Sequence, residues 1–146
     1  MKPEYHALIS LAVASVFYLL THSLTASAFV ILVGVFMDFD HFFDLSMTRG
    51  RLTFNPKTLL DYSYNQRYRR LFLVVHSVEL IPIIFLLGGI LFGKMITYGI
   101  LVGFISHIIT DYATNGVKPF SYFFTYRLLN KFDVSKICNC EDRKDA

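Results

Sequence analysis

The chain has 146 residues, of which 54% are hydrophobic, 16% aromatic and only 17% charged, with a mean hydropathy of +0.48. That is too apolar for an ordinary soluble domain of this length and points to one domain with membrane spans. A formal net charge of +3 gives no basis for nucleic-acid binding, and the two cysteines, Cys138 and Cys140, read as reduced cytosolic thiols, since two ligands do not make a metal site.

Four apolar runs mark the expected helices. The first, about Tyr5 to Leu20, has Lys2 as its only basic flank and no clear small-residue cleavage site, so it reads as a retained helix rather than a signal peptide. The second runs from about Leu24 to Met37 and on into Phe43, the third from about Leu71 to Phe92, and the fourth from about Met95 to Ile109. Each is at or a little below the roughly 20 residues of a full span. Pro82 inside the third predicts a kink or a relaxed first turn. Thr21-His22-Ser23 and Gly93-Lys94 are tight links that predict antiparallel hairpins, with His22 a plain loop residue.

The segment from Asp44 to Arg70 is polar; within it Pro56–Asn65 predicts a short surface helix with Asn55 as its N-cap. Asn115-Gly116 and Pro119 signal a turn, and Tyr122 to Phe132 reads as an aromatic amphipathic stretch. The expected fold is all-α: an integral membrane up-down bundle of about four core helices plus short interfacial helices. Residues 1–133 form a single membrane-embedded domain in this reading, and 134–146 a polar, disordered tail.

Polar residues gather at particular ends of these runs. If the links reverse the chain, one side collects His6; Asp38, Asp40 and His41; His76 and Glu79; and His107 and Asp111. Thirteen of the fourteen Lys and Arg residues fall on that side, with only Lys94 opposite. By the positive-inside tendency it faces the cytoplasm, at the inner membrane. Histidine with carboxylate is the ligand set of a hard-to-borderline divalent metal.

His107 and Asp111, four apart, share a helix face, as do His76 and Glu79, three apart. Asp38, Asp40 and His41 cannot all point one way from a regular helix, whereas Asp40 with Asp44, or His41 with Asp44, can. A helix ending near Asp40 frees the others to turn inward. Carboxylates at a helix C-terminus oppose its dipole, and ionisable groups near lipid are costly without partners, so a compensating cation is expected. Six or seven ligands exceed one tetrahedral zinc and suit two metals sharing a bridging carboxylate. Taken singly, each histidine reads rather as a hydrogen-bonded core or interface residue, and Ser106 as a packing residue rather than a nucleophile; it is their joint arrangement that points to metal.

The segments MKPEYHALIS, FMDFDHFFD, LFLVVHSVEL and SHIITDYATNGVKPFSYFFTYR together resemble the membrane-bound metal-dependent hydrolases of the YdjM type, some of which are LexA-regulated. The resemblance covers nearly the whole chain to about Phe132. The chain has Met37 where many relatives have proline, and Arg69-Arg70 upstream of His76 in place of a Thr-His pair. The resemblance implies a helical core related to zinc-dependent phospholipase C. It also implies a multi-zinc phosphoesterase site with His6, Asp40, His76, His107 and Asp111 as ligands and His41, Asp38 and Glu79 as further members.

The expected function is a membrane-bound hydrolase of a lipid or lipid-linked phosphate, using one to three divalent ions, zinc or else manganese. Asp38 or Asp40 orients or deprotonates the attacking water. Arg127 or Lys118 holds a phosphate oxygen, with interfacial snorkelling the alternative for Arg127. A non-catalytic scaffold or stress-response partner with a structural metal is the second reading. A metal transporter is the third, disfavoured because the outer half offers no polar relay.

Overall fold

In the computed structural model, which describes residues 3–55, 57–59, 61 and 70–138, the apolar runs are helices with identifiable stops. Helix α1 (Pro3–Thr21) ends where His22 turns to a positive φ of 52°. The Ser23 hydroxyl then accepts from the Ala26 N–H at 3.4 Å and caps α2 (Leu24–Phe36). A 3-10 turn at Met37–Phe39 leads into α3 (Asp40–Arg49), closed by Gly50 in the left-handed region. Helices α4 (Leu80–Leu91) and α5 (Lys94–Thr114) meet at Gly93, whose φ of 77° is one that side-chain-bearing residues rarely adopt. Two short helices follow, α6 (Phe124–Leu129) and α7 (Val134–Ile137). Among the described residues there are isolated β-bridges, at Arg70–Asp133 and Val117–Cys138, but no strand.

Three helical stretches are long and apolar enough to cross a membrane: Glu4–Thr21, Leu24–Arg49 and Lys94–Thr114. The third expected span is shorter than its apolar run, because residues 71–79 are not helical and α4 starts only at Leu80. Pro82 is the third residue of α4, where its missing N–H costs no helical bond. Extending the helix backwards would drive its ring into the Val78 carbonyl, so the proline sets the helix start instead of kinking a longer one. The 12 residues of α4 reach only about 18 Å, short of the roughly 30 Å hydrocarbon core.

The sequence reading takes 1–133 as one domain; the structure clusters the chain into two units. The first comprises Met1–Met37 and Val78–Asn115, with α1, α2, α4 and α5. In it α5 packs on α1, α2 and α4, and α1 packs on α2. The α2–α5 contact is close because Gly99 and Gly103 present bare backbone. A Cβ at Gly103 would sit 2.6 Å from the Val30 carbonyl oxygen, and one at Gly99 would collide with the Ala26 carbonyl. This Gly-x-x-x-Gly spacing is how membrane helices gain van der Waals contact when no hydrophobic force drives them together. The outward side chains, among them Leu19, Leu20, Leu24, Ile90 and Leu91, are apolar and exposed, a surface that suits lipid.

The second unit comprises Asp38–Ser77 and Gly116–Ala146. Its apolar centre is Leu45 with Val134, flanked by Leu59, Leu71 and Cys138. The Phe72 and Phe132 rings pack 4.5 Å apart, and Leu71 N–H donates to the Phe132 carbonyl at 3.0 Å. Residues 134–137, which the sequence reading assigns to a polar tail, instead form α7 and bury Val134 and Ile137 in this unit. Cys140 and the remainder of the tail, residues 139–146, lie outside the described residues. Of the surface helix expected at 56–65, residues 57–59 and 61 are helical, and Asn55 Oδ1 accepts the Lys57 N–H at 3.0 Å as its cap; the others lie outside the described residues.

Candidate metal centres

In the first unit, His6 stands one turn into α1, and His107 and Asp111 share a face near the end of α5. Their ligand atoms lie within 4.8 Å of one another. His6 Nε2 is 3.1 Å from Asp111 Oδ1 and His107 Nε2 is 3.5 Å from Asp111 Oδ2. The two imidazoles stack with centroids 4.3 Å apart. All three residues are buried, at 2–3% exposure.

The decisive contact is on the far side of the ring. His107 Nδ1 lies 2.8 Å from the Gly34 carbonyl of α2. A carbonyl only accepts, so Nδ1 carries the proton and donates. Nε2 therefore faces the Asp111 carboxylate either as an imidazolium N–H or as a bare lone pair. The first gives an ion pair, though 3.5 Å is long for an N–H···O bond. The second requires a cation between the two. Two donors about 2.0–2.1 Å from a tetrahedral ion lie about 3.3 Å apart, which the observed separations match. A backbone carbonyl behind a histidine is also the usual way a ligating imidazole is oriented.

In the second unit, Asp38, His41 and His76 bring ligand atoms within 4.8 Å of one another. His76 Nε2 and His41 Nε2 lie 3.5 and 3.6 Å from Asp38 Oδ1. His76 is fully buried, whereas Asp38 and His41 are 28% and 23% exposed. Behind His76, Asp40 Oδ2 accepts from its Nδ1 at 2.9 Å and from the Val75 N–H at 3.1 Å. Nδ1 is thus the protonated nitrogen again, and Nε2 is turned towards Asp38: a carboxylate–histidine arrangement of the kind that raises the basicity of a ligand.

Local sequence explains how a loop residue reaches this place. Asp40 and Asp44 lie four apart on α3 and so share a face. Asp44, fully buried, accepts from Phe72 N–H at 3.0 Å and Leu73 N–H at 3.2 Å. Three consecutive-turn N–H groups, at residues 72, 73 and 75, are therefore consumed by α3 carboxylates and not by a helix. The chain between Leu71 and Glu79 stays irregular, Leu73 sits at a positive φ of 44°, and His76 is delivered to Asp38.

Within the first unit His6, His107 and Asp111 come together, and within the second Asp38, His41 and His76. Asp40 is placed behind His76 as its hydrogen-bond acceptor, and its other oxygen, Oδ1, has no hydrogen-bond partner among the described residues. Glu79 sits at the N-cap of α4 and belongs to neither group; the helical i,i+3 pairing with His76 fails because that stretch is not helical. Arg127 is fully buried in the second unit, its Nη2 donating to Ser77 Oγ at 2.5 Å and towards the His76 carbonyl at 3.5 Å. That burial is incompatible with snorkelling. Lys118 Nζ donates to the Ser135 carbonyl at 3.0 Å. Sequence reasoning missed the supporting roles of Asp44, Ser77 and the Gly34 carbonyl; only the Asp40–Asp44 spacing carried a signal.

Each cluster can therefore hold a metal ion, and the same contacts serve as ion pairs when the imidazoles are protonated. No family model, curated protein or solved structure matches this chain.

Proposed function

We propose that this protein is a membrane-bound, metal-dependent phosphoesterase of the YdjM-like type, acting on a lipid or lipid-linked phosphate at the cytoplasmic face of the inner membrane. In this reading the helices of the first unit form an up-down, phospholipase C-like core. The observation that carries it is the repeated arrangement around His107 and His76: Nδ1 given to a fixed acceptor, Nε2 aimed at an aspartate. Imidazole and carboxylate donors at these separations suit zinc, with manganese the alternative.

A divalent ion bound at such a site lowers the pKa of its water and takes up charge developing at phosphorus. The chain's own residues supply the rest. Asp40 fixes the His76 ring, and Asp38, partly exposed, receives the proton of the attacking water. Lipid substrates fit the apolar exposed surface that surrounds the helices. Phosphate release from a panel of lipid phosphates in mixed micelles, with zinc or manganese added, tests this. Turnover that Asp38→Asn lowers by about 10²–10⁴-fold is expected. Metal binding without turnover of any lipid phosphate would instead favour a non-catalytic membrane protein with a structural ion, a reading supported by the near-complete burial of His6, His107 and Asp111.

A further inference from the structure

Arg127 is the largest fully buried side chain among the described residues, and Asp44 is fully buried as well. Neither belongs to a ligand group, yet both grip the segment that carries His76, from opposite ends. Asp44 takes the N–H groups of Phe72 and Leu73, one on each carboxylate oxygen. Arg127 holds the other end through Ser77 Oγ and the His76 carbonyl. Ser77 Oγ passes the contact back into the loop by donating to the Val74 carbonyl at 2.7 Å. Arg127 is positioned by its own helix, α6, whose C-terminus folds back so that Phe132 N–H donates to the Arg127 carbonyl at 2.8 Å.

We infer that Asp44 and Arg127 are positioning residues that clamp residues 72–77 and thereby hold the His76 imidazole in ligating position. In this reading Arg127 serves the loop and not a phosphate: it is fully buried, and its Nη2 donates to Ser77 Oγ and towards the His76 carbonyl. The metal consequence rests on the proposed reading of the Asp38–His41–His76 cluster; the clamp itself does not.

Two readouts on full-length protein in detergent separate these. The first is cobalt(II) titration, taking as signal the visible absorption lost in His76→Ala. The second is amide hydrogen exchange of Phe72, Leu73 and Val75 without metal. Asp44→Asn and Arg127→Met are expected to weaken the His76-dependent cobalt site by about 10–100-fold and to speed exchange of those amides at least tenfold, with helix content unchanged. Arg127→Lys, which keeps the charge but loses the forked donors, should fall between wild type and Arg127→Met.

Wild-type cobalt affinity and wild-type exchange in Asp44→Asn and Arg127→Lys would overturn the inference and leave the metal reading standing. Should Arg127→Met lose helix, those two variants decide. No His76-dependent cobalt signal in wild type would remove the metal reading. Faster exchange in the variants would then still support the clamp, and unchanged exchange would refute it.

Discussion

The two clusters use the same side chains but are built from different material. In the first unit the ligands stand on long helices: His6 on α1, His107 and Asp111 on α5, with the orienting carbonyl supplied by α2. Close glycine packing fixes the α2–α5 distance, so the cluster inherits its geometry from backbone contact. In the second unit the ligands come from a 3-10 turn, the first turn of α3 and an irregular loop, and carboxylates do the orienting. One cluster is sealed, at 2–3% exposure, while Asp38 and His41 of the other stand about a quarter open. A site set by helix packing needs few polar supports, whereas one set on a loop needs a polar brace for almost every residue. Under the proposed function, the open one is the better place for chemistry and the sealed one for a permanent ion.

The contrast predicts unequal responses. Removing a ligand has the largest effect: His76→Ala should abolish cation binding at the second-unit cluster and phosphate release with it, and His107→Ala should abolish binding at the first-unit cluster. Metal-to-protein ratios for each variant check whether one ion is lost while the other stays. Loss of both in either variant would erase the contrast. Next, Asp40→Asn should weaken metal binding by about 10–100-fold at the His76 cluster only; equal weakening of both clusters in cobalt titrations would contradict the assignment.

Gly103→Ala should act on the first unit through packing. Its Cβ meets the Val30 carbonyl at 2.6 Å, so a loss of about 1–3 kcal/mol is expected, read as a lower midpoint of denaturation in detergent. Smallest of all, Asn55→Ala removes the cap on the Lys57 N–H and should cost about 0.5–1 kcal/mol without altering metal content.

The first cluster was largely legible in the sequence. His107 and Asp111 are four apart in a run that remains helical, so the i,i+4 rule applies, and short links return the start of α1 towards them. The second was legible in composition but not in geometry. The apolar run from Leu71 suggests a helix, and on that helix His76 would pair with Glu79. It fails because Asp40 and Asp44, about thirty residues earlier, capture the amides a helix needs, and no local periodicity encodes so distant a bond. Arg127 shows the same limit. An arginine among aromatics reads as interfacial, and only its three-dimensional neighbours, Ser77 and His76, reveal a buried brace.

The most direct test is the metal content of protein purified in detergent without chelator, before and after incubation with zinc. At least one bound ion per chain is expected in wild type, with a lower ratio in His76→Ala and in His107→Ala. A wild-type protein that carries no divalent metal and takes up none would mean that the imidazoles are simply protonated partners of their aspartates, and the hydrolase reading would fall with the metal.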